Sequence, residues 1–195
     1  LTARGFGSDG TSTLGAVTEI LSAPRTWRIL RTTLTLALLG SAASVLLGIP
    51  GAYLLYVVRF PGRGLARALV TVPFVLPTVV VGVAWVAVLG PSGPLAFLGL
   101  AESLPAIVLA LVFFNYSVVV RTVGGLWARL DPRAVAAARS LGASPARAFR
   151  TVTLPALMPA IASAAALVFL FCASAFGIIM VMGGVRYSTI ETEIW

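Results

Sequence analysis

Four stretches of this chain carry no charged residue, and each is long enough to cross a lipid bilayer. They cover residues 32–58, 68–101, 103–120 and 151–185. Leucine, valine, alanine and glycine dominate them, without the period-two alternation that marks a half-buried strand. A bilayer core of about 30 Å needs roughly 20 apolar residues as helix. The pattern predicts an all-α, polytopic membrane helix bundle with spans near 32–58, 68–90, 104–120 and 155–182. Ahead of it, residues 1–24 are rich in Gly, Ser and Thr and are expected to form a flexible external segment. Residues 25–195 are expected to form the transmembrane domain.

Polar and backbone-breaking residues inside the spans are few. In the first span Gly40, Ser44 and Gly48 recur every four residues, a stripe that lets another helix approach closely. Pro50-Gly51 is expected to kink or loosen its end. The second span holds Pro73 and Pro77. Each removes a backbone donor and frees a carbonyl one turn earlier, which lipid cannot satisfy. Thr71 and Thr78 stand close enough in sequence to help. The third span contains Asn115-Tyr116-Ser117, a glycosylation sequon by pattern but one set within the membrane. Thr78, Asn115 and Ser117 are the candidate polar positions, either bonding between helices or touching a solute on its route. No acidic or basic residue falls deep in any predicted span. In the fourth, Phe169, Phe171 and Phe176 lie toward the outer half, and Cys172 reads as a small packing residue.

Composition sharpens the picture by exclusion. Only 10% of the 195 residues are charged and 59% are hydrophobic, against about 25% charged in an ordinary soluble chain. All 14 cationic residues are arginine, with no lysine and no histidine. No phosphate-binding G-x-x-x-x-G-K-[ST] loop, Ser-His-Asp triad or H-E-x-x-H zinc site can be built. One cysteine allows neither an internal disulfide nor a cysteine zinc site. The acidic residues Asp9, Glu19, Glu102, Asp131, Glu191 and Glu193 all lie outside the spans and form no catalytic constellation. The net charge of +8 reads as a membrane signal rather than a nucleic-acid footprint.

The arginines also orient the bundle. Arg59, Arg63 and Arg67 follow the first span, and Arg121, Arg129, Arg133, Arg139, Arg147 and Arg150 follow the third. Arg4, Arg25, Arg28, Arg31 and Arg186 fall on the other side. The richer side is expected to be cytoplasmic, which leaves the N-terminus outside. The chain starts at Leu1 and stops at Trp195, and is expected to be part of a longer protein.

The loop over residues 121–154 is polar and organised. Asp131-Pro132 reads as a helix cap followed by a first helical position. A helix then runs through Arg133-Ala-Val-Ala-Ala-Ala-Arg139-Ser-Leu141 and stops at Gly142. Ser144-Pro145 repeats the cap before a second short helix, and Leu154-Pro155 is expected to open the fourth span. A slim, alanine-rich helix fits a groove on a partner protein. Its arginines fit anionic lipid headgroups equally well.

Ala136-Ala137-Ala138, three residues, Gly142, nine residues, then Val152-Thr-Leu154-Pro155 resembles the "EAA loop" of binding-protein-dependent ABC importer permeases. Ala136 stands where that family carries glutamate, and Val152 where isoleucine is usual. The turn Arg59-Phe-Pro-Gly-Arg63, the proline-bearing second span and Phe114-Asn-Tyr-Ser-Val-Val-Val-Arg121 are similar as well, so the likeness covers residues 25–195. The resemblance implies a multi-pass permease of the bacterial inner (cell) membrane with about six spans in its parent unit. It also implies a second permease half, fused or separate, and a periplasmic or lipoprotein solute-binding protein. Cytosolic ABC ATPase subunits would dock on the loop and hold the ATP, leaving no cofactor and no enzyme activity in this chain. The coupling residues are then Ala136, Ala137, Ala138, Gly142, Val152, Leu154 and Pro155, with shape and the Gly142 bend carrying the contact that glutamate does not. The segment from Gly183 to Trp195 resembles the thiamine/iron(III) subgroup, although sulfate, molybdate and polyamine permeases share much of it. A secondary carrier or channel not coupled to an ATPase is the competing expectation. It calls for intramembrane charges or a filter.

Overall fold

A computed structural model describes residues 23–183 together with Tyr187, Thr189, Ile190 and Thr192. The expected external segment lies outside the described residues, apart from Ala23 and Pro24. Most of the stretch from Gly183 to Trp195 does too. The described residues fold into helices joined by turns and short connections, with no strand among them. Helix α1 spans Pro24–Ala52 and widens into a π-helical turn over Tyr53–Val57. Helices α2 (Arg63–Val75) and α3 (Thr78–Leu89) follow, then α4 (Leu104–Trp127). The short helices α5 (Pro132–Ser140) and α6 (Pro145–Ala148) lead through a second π-helical turn, Phe149–Thr153, into α7 (Leu154–Ala173) and α8 (Phe176–Met182).

Helix α4 is the axis of the bundle. Ile107, Ala110, Leu111, Val119, Val120 and Val123 are all buried along it. Helix α1 lies against α4 and α7 through its small residues. A Cβ on Gly40 would stand 2.9 Å from Cys172 Sγ, and one on Gly48 only 2.6 Å from Val119 Cβ. One on Gly51 would run into the Tyr116 hydroxyl. Ser44, between these glycines, is fully buried. The small-residue stripe is therefore the seam that lets two backbones approach, in place of an attraction that lipid does not supply. Leu38, Leu46, Leu47, Leu65, Leu69 and Val75 are exposed on the outside, as an apolar surface bathed in hydrocarbon requires.

Three helical segments are long and apolar enough to cross a membrane: Pro24–Val57, Leu104–Trp127 and Pro145–Ala173. The pair Arg63–Val75 and Thr78–Leu89 makes a fourth if counted together, but it is bent by 103°. The second span is thus not one helix over 68–90. Leu76, at φ −74° and ψ 143°, is extended, because the ring of Pro77 excludes the helical region for the residue before it. The fourth span also breaks, at Ser174–Ala175, so 155–182 is two helices. The half-helices α3 and α8 pack together, Gly82 closing on the Gly177 carbonyl at a Cβ distance of 3.3 Å.

Two other boundaries differ from the sequence pattern. Helix α1 begins at Pro24, so Arg25, Arg28 and Arg31 lie on its first turns. Helix α4 runs past residue 120 to Trp127, so Arg121 belongs to the span and not to the loop. A charge does not stop a helix, since arginine can lay its long stem along apolar surface and keep its head in water.

Candidate functional site

The loop after α4 is built by local hydrogen bonds that its sequence specifies. Asp131 caps α5, its Oδ1 accepting from the Arg133 amide at 2.9 Å, with Pro132 in the first turn where no donor is needed. At the far end the Gly142 amide donates to the Arg139 carbonyl (3.0 Å) and the Ala143 amide to the Ala138 carbonyl (3.1 Å). This pair of bonds is a Schellman closure. It requires a left-handed residue, and Gly142 has φ +85°. Ser144 then caps α6 by accepting from the Arg147 amide at 3.3 Å.

From there the chain does not turn into a separate second helix. Pro145–Ala173 is continuous, widening over Phe149–Thr153 just before Leu154-Pro155. Pro155 offers no amide to the carbonyl one turn earlier, and the wider turn absorbs that register change. Leu154-Pro155 therefore sits inside a helix rather than opening one, and the loop proper is 128–144.

No residue of α5 is buried. Ala136, Ala137 and Gly142 are exposed and Ala138 is partly covered, while Leu141 presents 90% of its surface. Val152 and Leu154 are partly buried and Pro155 exposed on the continuous helix. The alanine face and the helical end are thus presented outward, while the second half of the motif belongs to the shaft that enters the bundle. Beneath α5 lies an aromatic base. The Trp127 ring stacks on Phe149 at 5.9 Å and lies 5.3 Å from Tyr53, joining the ends of α1, α4 and α6. A groove of about 740 Å³ separates this base from Val135 and Arg139 of α5.

The three polar positions of the spans do not form one site. Asn115 is fully buried. Its Nδ2 donates to the Leu111 carbonyl at 2.9 Å and to Cys172 Sγ at 3.4 Å, an interhelical role. Thr78 starts α3 against Gly177. Thr71 does not relieve a proline-freed carbonyl, because its hydroxyl donates to the Arg67 carbonyl at 2.9 Å. Ser117 is 1% exposed, its Oγ has no hydrogen-bond partner, and it lines a cavity of about 450 Å³ with Arg121 and Thr122. Sequence reading missed this cavity because it ended the span at residue 120. The spacing of Ser117 and Arg121, one helical turn apart, was the available signal. The same reading missed the aromatic base, whose three rings are far apart in sequence.

At the short loop after α1, Arg67 Nε donates to the Leu55 carbonyl at 2.8 Å and Arg63 Nη1 to the Val58 carbonyl at 3.3 Å. Two arginines thus satisfy carbonyls at the helix C-terminus, where cations are favoured. No cluster of three or more metal-ligating side chains occurs among the described residues.

Residues 44–195 match the family described as binding-protein-dependent transport system inner membrane component. A sulfate transport system permease protein of Salmonella typhimurium is 32% identical over 186 residues, covering 90% of this chain and 66% of that protein. A thiamine transport system permease protein of Brucella abortus is 30% identical, covering 87% and 33%. A molybdenum transport system permease protein of Azotobacter vinelandii is 33% identical, covering 80% and 72%. The chain thus spans from a third to under three quarters of these relatives. Among solved structures, a bacterial ABC transporter involved in the import of the acidic polysaccharide alginate superposes with a TM-score of 0.78 at 18% identity. That match covers 96% of this chain and 72% of the other.

Proposed function

Since this chain belongs to the family of binding-protein-dependent transport system inner membrane components, we propose that it forms half of the solute pathway of an ATP-driven importer and couples to a separate ATPase through α5. The observation that carries this is α5 itself. It is a capped helix with no buried residue, closed by the left-handed Gly142 and set on a helix that runs unbroken into the bundle. A rigid shaft of this kind transmits a push at the loop to the pore. ATP would be held by cytosolic ABC ATPase subunits, and this chain would supply no cofactor. A receptor outside would deliver the solute, and a second permease half, fused or separate, would complete the pore. The setting would be a bacterial inner membrane, with the arginine-rich loops inside.

For the solute, thiamine or iron(III) is one reading, supported by the likeness to thiamine permeases at 30% identity. An oxyanion is the other, supported by the sulfate and molybdenum relatives at 32% and 33%. Affinity purification of the full-length protein from mild detergent tests the importer reading. Co-purification of an ATPase carrying a phosphate loop supports it. Its absence from a stable, folded preparation supports an uncoupled carrier or channel.

A further inference from the structure

We propose that the cavity beside Ser117 and Arg121 is an anion-binding station on the solute route, suited to a small oxyanion. The proposal rests on the importer reading and names its solute class. Two groups on α4 face the same space one turn apart, with Thr122 beside them. Ser117 is buried and its hydroxyl has no partner, an unmet donor that an acceptor reaching it would satisfy. Arg121 lines the cavity and forms no ion pair among the described residues.

The surroundings favour one sign of charge. The described acidic residues are Glu102, in the connection between α3 and α4, and Asp131, occupied in capping α5. Neither lines the cavity. Behind the Tyr56 ring of the wall, and not lining the cavity itself, the Arg67 guanidinium sits 4.1 Å from the ring centroid, adding to the positive field. The remaining wall, including Phe74 and Phe171, is apolar and offers no competing polar group, while Arg121 and Thr122 stand at its exposed side. A guanidinium fork with adjacent hydroxyls matches the several acceptor oxygens of a sulfate-like ion. A cationic solute would meet the Arg121 guanidinium and no carboxylate among the lining residues. The volume of about 450 Å³ holds such an ion with part of its water.

The test uses the full-length protein in membranes, carrying Thr122→Cys, with the buried Cys172 as the other thiol. Labelling is followed with an anionic and a cationic methanethiosulfonate reagent, with sulfate, molybdate or thiamine added. The proposal expects the anionic reagent to react faster, and sulfate or molybdate to slow it about tenfold. Thiamine should not. Arg121→Gln should abolish both effects, and Arg121→Lys should retain part of them. Protection by thiamine alone, protection by nothing, or full oxyanion protection in Arg121→Gln overturns the station. Co-purification of the ATPase is scored on the same preparations. A coupled protein without protection overturns only the station, whereas oxyanion protection without an ATPase upholds the station and overturns the importer reading.

Discussion

Trp127 stacks on Phe149, ring centroids 5.9 Å apart and planes 29° from parallel. The contact ties the last residue of α4 to the π-helical turn of the shaft that becomes α7, and so closes the base of the exposed loop. Trp127→Ala should lower stability by about 2 kcal/mol, from lost stacking and partial burial. Uptake per ATP hydrolysed should fall while the protein remains inserted. Thermal melting in detergent and paired uptake and ATPase assays check this, and Trp127→Phe should recover most of both.

Gly142 has open space around its Cβ position, so only its backbone conformation constrains it. Gly142→Ala should cost about 1–2 kcal/mol locally through the left-handed strain, and Gly142→Asn less. Relative ATP-driven uptake should follow the order Gly, Asn, Ala, measured at equal membrane abundance.

Gly48 faces the Val119 side chain with no room for a methyl group. Gly48→Ala should destabilise the α1–α4 seam by about 1–3 kcal/mol. Val119→Ala in the same chain should return part of that loss, a coupling that a double-mutant cycle in detergent melts would detect.

Asn115 bridges α4 to Cys172 while its Oδ1 is left without a partner. Asn115→Leu removes the orphaned acceptor along with the bridge, so it should change stability by about 1 kcal/mol or less. Solute half-saturation should stay unchanged. A large rise in half-saturation with normal stability would instead place Asn115 on the route.

Much of the loop was legible in sequence because its signals are local. Asp131-Pro132, Ser144-Pro145 and Gly142 each act through bonds within a few residues, and the structure shows each of those bonds. The break before Pro77 was half legible. The proline predicts a disturbed helix, and the extended Leu76 follows from the pre-proline rule. The 103° angle depends on α3 packing against α8. The break at Ser174–Ala175 has no proline and arises where Gly177 must approach Thr78 and Val79. The cavity at Arg121 was hidden by treating a charge as a helix end, although α4 carries it without interruption.

ATP-driven solute uptake by the complete transporter in proteoliposomes, comparing wild type with Ala137→Glu, tests the coupling role of α5 most directly. Ala137 is exposed on a helix with no buried residue, so the substitution should leave folding and insertion intact. The account predicts loss of ATPase association and of ATP-driven uptake in the variant. Uptake and ATPase association at wild-type levels in Ala137→Glu would contradict it.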